Sequence, residues 1–214
     1  MEQIHHLLDF LLHLNKYLTD IVAQYHTLTY AILFLIIFTE TGLIVMPLLP
    51  GDSLLFAAGA LAAAPNSELN IWIIIPLLIV AALLGDNVNY FVGKFFGDFI
   101  KSKERILFFK REYIEETHAF YEKYGGRTVI MARFVPIVRT IAPFVAGAGT
   151  MTYSNYIKNC VIGAILWVVG ISMLGYLFGN IPVIQKNFEF VVLGIIFLSI
   201  LPMIIGLIRA RTSK

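Results

Sequence analysis

Five charged residues lie inside or beside long apolar runs of this chain: Glu40, Asp52, Asp86, Arg133 and Arg139. Insertion scales put roughly 2.5–3.5 kcal/mol on each such residue at the centre of a membrane helix. Five of them facing lipid would cost on the order of 15 kcal/mol, comparable with the stability of a whole domain. They must pair, line a water-filled cavity, or both. The acids fall in the first half and the two arginines in the second. One reading is that they only lock segment to segment; buried pairs do not reliably repay their desolvation, which argues for a working role. A guanidinium binds phosphate through two parallel hydrogen bonds and stays charged at physiological pH. Arg133 and Arg139 are spaced to hold one phosphate from neighbouring sides of a bent segment. Burial and arginine charge pull a carboxylate's proton affinity in opposite directions. Glu40 or Asp52 is therefore expected to change protonation as the arginines gain or lose an anion.

Other chemistries find less support. A lipid phosphatase needs a nucleophile and an acid–base group in one pocket. His5, His6, His13, His26 and His118 fall outside the segments that carry the charges, and Cys160 has no motif around it. The Asp52-Ser53 pair lacks a basic partner nearby in sequence. No catalytic residue, metal site or cofactor is expected. The single cysteine excludes an internal disulfide and a cysteine-built metal cluster.

The elements that position these charges are membrane elements. Only 14% of the 214 residues are charged against 58% hydrophobic, with mean hydropathy +0.80. Soluble domains carry about 25% charged residues, so lipid is the solvent this composition suits. Net charge is +2 with no single basic patch, which argues against nucleic-acid binding. The opening Met1-Glu2-Gln3-Ile4-His5-His6 lacks a basic region before an apolar core, so no cleavable signal peptide is expected.

Residues 1–27 alternate apolar and polar faces at helical spacing and read as an amphipathic helix at the interface. The alternative is a bundle helix crossing with its polar face inward. Residues 28–64 are apolar but broken at Thr39-Glu40-Thr41-Gly42 and again around Pro47, Pro50 and Gly51. The limb Leu28–Phe38 makes roughly 16 Å of helix, about half of a ~30 Å hydrocarbon core. Two half-length limbs around a Pro-Gly corner predict a re-entrant hairpin; an ordinary span tolerating Glu40 is the alternative. Residues 71–97 form a transmembrane helix, and 98–127 a charged cytoplasmic segment with an apolar stripe that suits a second interfacial helix. Residues 128–150 repeat the broken hairpin, with Pro136 and Pro143 at its corner. Transmembrane helices follow at 155–180 and 188–208, then a basic tail at 209–214.

Each half therefore reads as interfacial helix, hairpin, spanning helix, and the spans end alike in Gly93-Lys94-Phe95-Phe96-Gly97 and Gly175-Tyr176-Leu177-Phe178-Gly179. Lys101, Lys103, Arg105, Lys110 and Arg111 put the central loop in the cytoplasm, and Arg209, Arg211 and Lys214 put the C-terminus there. The first hairpin then opens to the periplasm and the second to the cytoplasm. The expected fold is an all-α polytopic membrane protein with an inverted repeat; a homo-oligomer is compatible with it.

These residues resemble the DedA family, the bacterial members of the VTT-domain group. The likeness lies in Phe38-x-Glu40-x-Gly42, Leu49-Pro50-Gly51-Asp52-Ser53, Gly85-Asp86-x-x-x-Tyr90-x-x-Gly93 and Tyr124-Gly125-Gly126. It continues in Ala132-Arg133-Phe134-x-Pro136-x-x-Arg139-Thr140-x-x-Pro143-x-x-Ala146-Gly147. The resemblance implies a multi-pass bacterial inner-membrane protein with two facing re-entrant hairpins and a role in envelope integrity and proton-motive-force homeostasis. Some relatives recycle undecaprenyl phosphate, and eukaryotic relatives scramble phospholipids. The family's important acidic and arginine positions fall on Glu40, Asp52, Arg133 and Arg139. The leading expectation is a proton-linked transporter or flippase whose partners are membrane lipids, a lipid phosphate and protons. A general scramblase, or a structural protein without transport of its own, stands beside it.

Overall fold

The computed structural model describes residues 27–43, 51–65, 67–100, 105–106, 109–110, 121, 125–149, 151–187, 190, 191 and 194. Helix α1 runs Leu28–Gly42. It continues through the Thr39–Gly42 stretch where a break was expected. The hydroxyls explain this: Thr39 Oγ1 donates to the Leu35 carbonyl at 2.8 Å and Thr41 Oγ1 to the Ile37 carbonyl at 2.9 Å. Threonines that satisfy themselves on the preceding turn present no open polar group to an apolar surrounding. The helix stops only at Leu43, whose backbone is extended.

Helix α2, Gly51–Ala62, is buried at every residue from Ser53 to Ala60. Its apolar residues surround the axis rather than form a stripe, as a helix enclosed by others requires. Helix α3 covers Ile71–Ile100 and α6 covers Tyr153–Phe178. Both are long and apolar enough to cross a bilayer. Their outward faces carry exposed Trp72, Ile73, Val80, Leu84 and Phe95 on α3, and Ile162, Leu166, Leu174 and Leu177 on α6. Apolar bands of this extent suit hydrocarbon and not water. Between them lie the short α4, Arg127–Ala132, and α5, Pro136–Ala148; α7, Pro182–Lys186, follows α6.

Of the charged segment expected at 98–127, residues 101–104, 107–108, 111–120 and 122–124 lie outside the described residues, and Tyr121 is helical. Arg105–Ile106 (β1) and Phe109–Lys110 (β2) form a two-residue antiparallel ladder, with Arg105 opposite Lys110 and Ile106 opposite Phe109. At these four residues a ladder stands where the apolar stripe suggested a helix, because the stripe's spacing does not encode strand pairing. The N-terminal amphipathic helix, the 188–208 span except residues 190, 191 and 194, the basic tail, and Pro47 and Pro50 lie outside the described residues.

The packing exchanges partners between the halves. Helix α1 lies along α3 and α4 along α6, whereas α2 packs on α6 and α5 on α3. Tyr30 near the start of α1 bonds the backbone of Glu68 and Asn70 ahead of α3, and Asn180 just beyond α6 donates to the Ala60 carbonyl at 3.1 Å. Gly126 before α4 rests against Asn155 and Asn159 at the start of α6. Gly147 late in α5 rests against Tyr90 and Lys94 of α3. The outer ends of α1 and α2 thus gather where α3 begins and α6 ends, and those of α4 and α5 where α3 ends and α6 begins.

Two close crossings hold the exchanged limbs. Gly59 of α2 faces the Ser172 carbonyl, and Gly175 of α6 faces the Phe56 carbonyl. At the other crossing Gly147 faces the Tyr90 carbonyl and Gly93 faces the Phe144 carbonyl. Each crossing uses a Phe-x-Ala-Gly-Ala run, Phe56–Ala60 and Phe144–Ala148. Small residues are what let helix backbones approach this closely inside a membrane.

Candidate functional site

The inner ends of four short helices meet the midpoints of α3 and α6, and the charges sit there. Glu40 occupies the last turn of α1 and is fully buried. Asp52 opens α2, Asp86 lies midway along α3, Arg133 follows α4, and Arg139 belongs to the first turn of α5. All five charges expected from the sequence are brought together.

They sort into two joined groups. Arg139 pairs with Glu40 through Nη2 and with Asp52 through Nη1, the latter at 3.0 Å. One guanidinium therefore ties α5 to both α1 and α2. The amide of Gly51, unpaired within α2 because it begins that helix, donates to Glu40 Oε1 at 3.2 Å. A side chain at Gly51 would occupy the space of the Glu40 carboxylate, so the glycine is what admits it. In the second group Arg133 pairs with Asp86. Cys160 Sγ donates to Asp86 Oδ2 at 3.1 Å, and Tyr156 donates its hydroxyl to the Asp86 carbonyl at 2.9 Å.

Trp167 of α6 joins the groups. Its Nε1–H donates to Asp52 Oδ1 at 2.7 Å, and the Arg133 and Arg139 guanidinium carbons lie 5.6 and 5.3 Å from its ring. A narrow cavity is bounded by Thr41, Asp86, Arg133, Arg139, Thr140 and Trp167. Asn89 Nδ2 donates to the Thr140 carbonyl at 2.7 Å, pinning α5 to α3 beside it.

The VTT domain matches residues 49–177, from just before α2 to the end of α6. Protein DedA of Escherichia coli (strain K12) is 52% identical over 213 residues, covering 100% of this chain and 97% of its own length. The chain belongs to the DedA family of membrane proteins. A membrane protein of Mycobacterium tuberculosis (strain ATCC 25618 / H37Rv) is 42% identical over 182 residues, 85% of this chain and 80% of its own. Inner membrane protein YqjA of Escherichia coli (strain K12) is 31% identical over 178 residues, 83% and 80%. No solved structure matches. The names of these relatives state no enzymatic reaction.

In this DedA-family chain the expected corner residues serve different ends. Gly51 begins α2, and Pro136 takes the first position of α5, where its missing N–H breaks no helical bond. Pro143 lies within α5 and lines the cavity. It cannot donate to the carbonyl one turn back, that of Arg139. Sequence reasoning missed Trp167, Cys160 and Tyr156. A signal existed: Tyr156, Cys160, Gly163, Ala164 and Trp167 are all buried, and their three-and-four spacing puts them on one face of a spanning helix. Polar and aromatic groups aligned on the inward side of a span mark the wall of a polar site.

Proposed function

We propose that this chain is a proton-linked flippase for a lipid phosphate in the bacterial inner membrane, with undecaprenyl phosphate as cargo. The observation that carries the reading is Arg139, held inside the membrane protein by two carboxylates from separate helices. A guanidinium with two anionic partners is placed to exchange one for a phosphate of similar geometry. The site holds Glu40, Asp52 and Asp86 against Arg133 and Arg139, that is, three acids and two bases with net charge −1 when all are ionised. Each further negative charge entering a low-dielectric site demands compensation, and a proton on a carboxylate is the smallest change that supplies it. Glu40 Oε2, buried without a hydrogen-bond partner among the described residues, is the oxygen open to that proton.

On this reading α1–α2 and α4–α5 are two re-entrant hairpins of opposite orientation, and their corners meet at the midplane. The exchanged packing supports this, since each pair's outer ends share one end of the spans. The apolar limbs leave a lipid's tail in the bilayer while the head group visits Arg139 and Arg133. The name of YqjA, an inner membrane protein, supports the location.

The experiment is reconstitution in liposomes with undecaprenyl phosphate, uncharged undecaprenol and phosphatidylethanolamine as parallel cargoes. Flux of the phosphate alone, accelerated by an inward proton gradient, is the expected result. Equal flux of phosphatidylethanolamine would make the protein a general scramblase. Equal binding of undecaprenol would remove the arginines from the mechanism, release of inorganic phosphate would make it an enzyme, and no flux at all would leave the charges a structural lock.

A further inference from the structure

Trp167 reaches both charge groups from a spanning-length helix. It is 1% exposed, whereas Trp72, the chain's other tryptophan, is 75% exposed on the outer face of α3. An indole N–H can only donate. Asp52 Oδ1 therefore receives two donors, Trp167 Nε1 at 2.7 Å and Arg139 Nη1 at 3.0 Å. The ring meanwhile gives both guanidinium groups a π-face, within the range where an aromatic face attracts a cation. Two like charges in a buried site repel strongly, and each is held here by the ring as well as by its carboxylates.

These contacts have a consequence for anion exchange. If Arg139 turns from Asp52 toward an entering phosphate, Asp52 loses one donor and would swing or follow the arginine. The indole N–H, fixed on a spanning helix, keeps it in position. The departing guanidinium meanwhile keeps a surface to slide over. We propose that Trp167 is a positioning residue for this exchange: its N–H retains Asp52 while its ring carries Arg139 between the carboxylates and the anion. This rests on the lipid-phosphate reading above and assigns a part of it to a residue outside the charged set.

The two tryptophans make the test direct. In a Trp72→Phe protein in lipid nanodiscs, Trp167 is the sole tryptophan fluorophore. Titration with undecaprenyl phosphate should shift its emission, and Arg139→Ala should remove the shift. In liposomes Trp167→Phe keeps an aromatic face but removes the N–H. Turnover should fall by about tenfold or more, the effect of losing one hydrogen bond to a buried charge, with the apparent affinity for the lipid changed less than about threefold. Trp167→Leu removes ring and N–H together and should weaken affinity as well as turnover. Parent-like flux in both Trp167 variants would overturn the inference alone. So would equal losses in the Phe and Leu variants accompanied by a lowered melting temperature, which a purely structural role predicts. No emission shift and no flux in the parent would overturn the lipid-phosphate reading and this inference with it.

Discussion

Gly59→Ala should separate α2 from α6 and destabilise the protein although only a methyl group is added. A Cβ at Gly59 would collide with the Ser172 carbonyl oxygen and lie 3.0 Å from both the Ser172 carbonyl carbon and the Tyr176 nitrogen. Relaxed contacts to carbon fall near 3.5–4.0 Å, so the backbones must part by roughly 0.5–1 Å or more. These neighbours are backbone atoms, which cannot rotate aside. Overpacking of this kind costs about 1–3 kcal/mol, while replacing a helical glycine by alanine returns about 0.5–1 kcal/mol. The net loss is up to about 2.5 kcal/mol, as much as a roughly 60-fold drop in the folded-to-unfolded ratio. Gly147→Ala should lose a similar amount, since its Cβ would meet the Tyr90 carbonyl and lie 2.9 Å from the Lys94 nitrogen. Gly170→Ala is the control: nothing among the described residues lies within 4 Å of a Cβ there, so a small gain is expected. Reversible unfolding in bicelles, with monodispersity by size-exclusion chromatography, measures all three. Gly59 and Gly147 variants as stable as Gly170→Ala would refute the close-crossing argument.

Four further outcomes follow from the same geometry. Single cysteines at Ser67 and Asn180 should react with impermeant thiol reagents from the periplasm and one at Ser102 from the cytoplasm; cytoplasmic labelling at 67 would reverse the hairpins. A Cys160→Ser background suits that assay because it keeps a donor toward Asp86. Alanine at Glu40, Asp52, Arg133 or Arg139 should abolish complementation of a deletion strain while the protein still inserts, and Arg139→Lys should impair it because one ammonium cannot reproduce the fork; normal complementation by all four alanine variants refutes the site. Asp86→Leu alone leaves Arg133 buried and unpaired and should cost about 3–5 kcal/mol in the unfolding assay, whereas Asp86→Leu with Arg133→Met should recover most of it; no recovery would mean that the pair is not what holds α4 to α3. Lipid-phosphate affinity should rise as pH falls, and Glu40→Gln should flatten that dependence because Glu40 Oε2 is the oxygen open to the proton; a flat profile in the parent separates protons from cargo.

The charged set and the helical class were legible because membrane burial makes a charge conspicuous: Asp86 stands out amid Leu83, Leu84 and Val88 by its cost alone. What the residues could not show was the partner assignment. Arg139 with Glu40 and Asp52, and Arg133 with Asp86, are contacts between residues 47 to 99 positions apart. Nothing local distinguishes that pairing from its swap. Trp167 was harder to see for a related reason. A tryptophan in an apolar span has the composition of a lipid-facing anchor, and only its alignment with Tyr156 and Cys160 reveals an inward face. The threonines misled in the opposite sense, since Thr39 and Thr41 look like a polar break until their hydroxyls are seen to close on the preceding turn. The pairing of Arg105–Ile106 with Phe109–Lys110 was missed because the apolar spacing there is too sparse to decide between helix and strand. The paired crossings were within reach: Phe56-Ala57-Ala58-Gly59-Ala60 and Phe144-Val145-Ala146-Gly147-Ala148 are a visible repeat of small residues.

The crossings and the charges are two ends of the same limbs, and this links packing to exchange at the site. Asp52 and Gly59 are both on α2, seven residues apart, and Arg139 and Gly147 are both on α5, eight apart. At 1.5 Å per residue these are levers of roughly 10 and 12 Å. At the corner a limb is held by ion pairs, which an anion or a proton can dissolve. At the crossing it is held by backbone against backbone, with no side chain to interlock and no charge to titrate. A contact built from glycine and carbonyl permits small sliding or pivoting of one helix on another, while resisting separation once the limb is seated. Releasing Arg139 from Glu40 and Asp52 therefore frees the inner ends of α2 and α5 relative to each other, and leaves each anchored on the opposite half's span. Under the proposed lipid-phosphate function, motion so constrained would open the cavity at the inner ends without unpacking the outer ends, as passage of a head group between two short limbs requires.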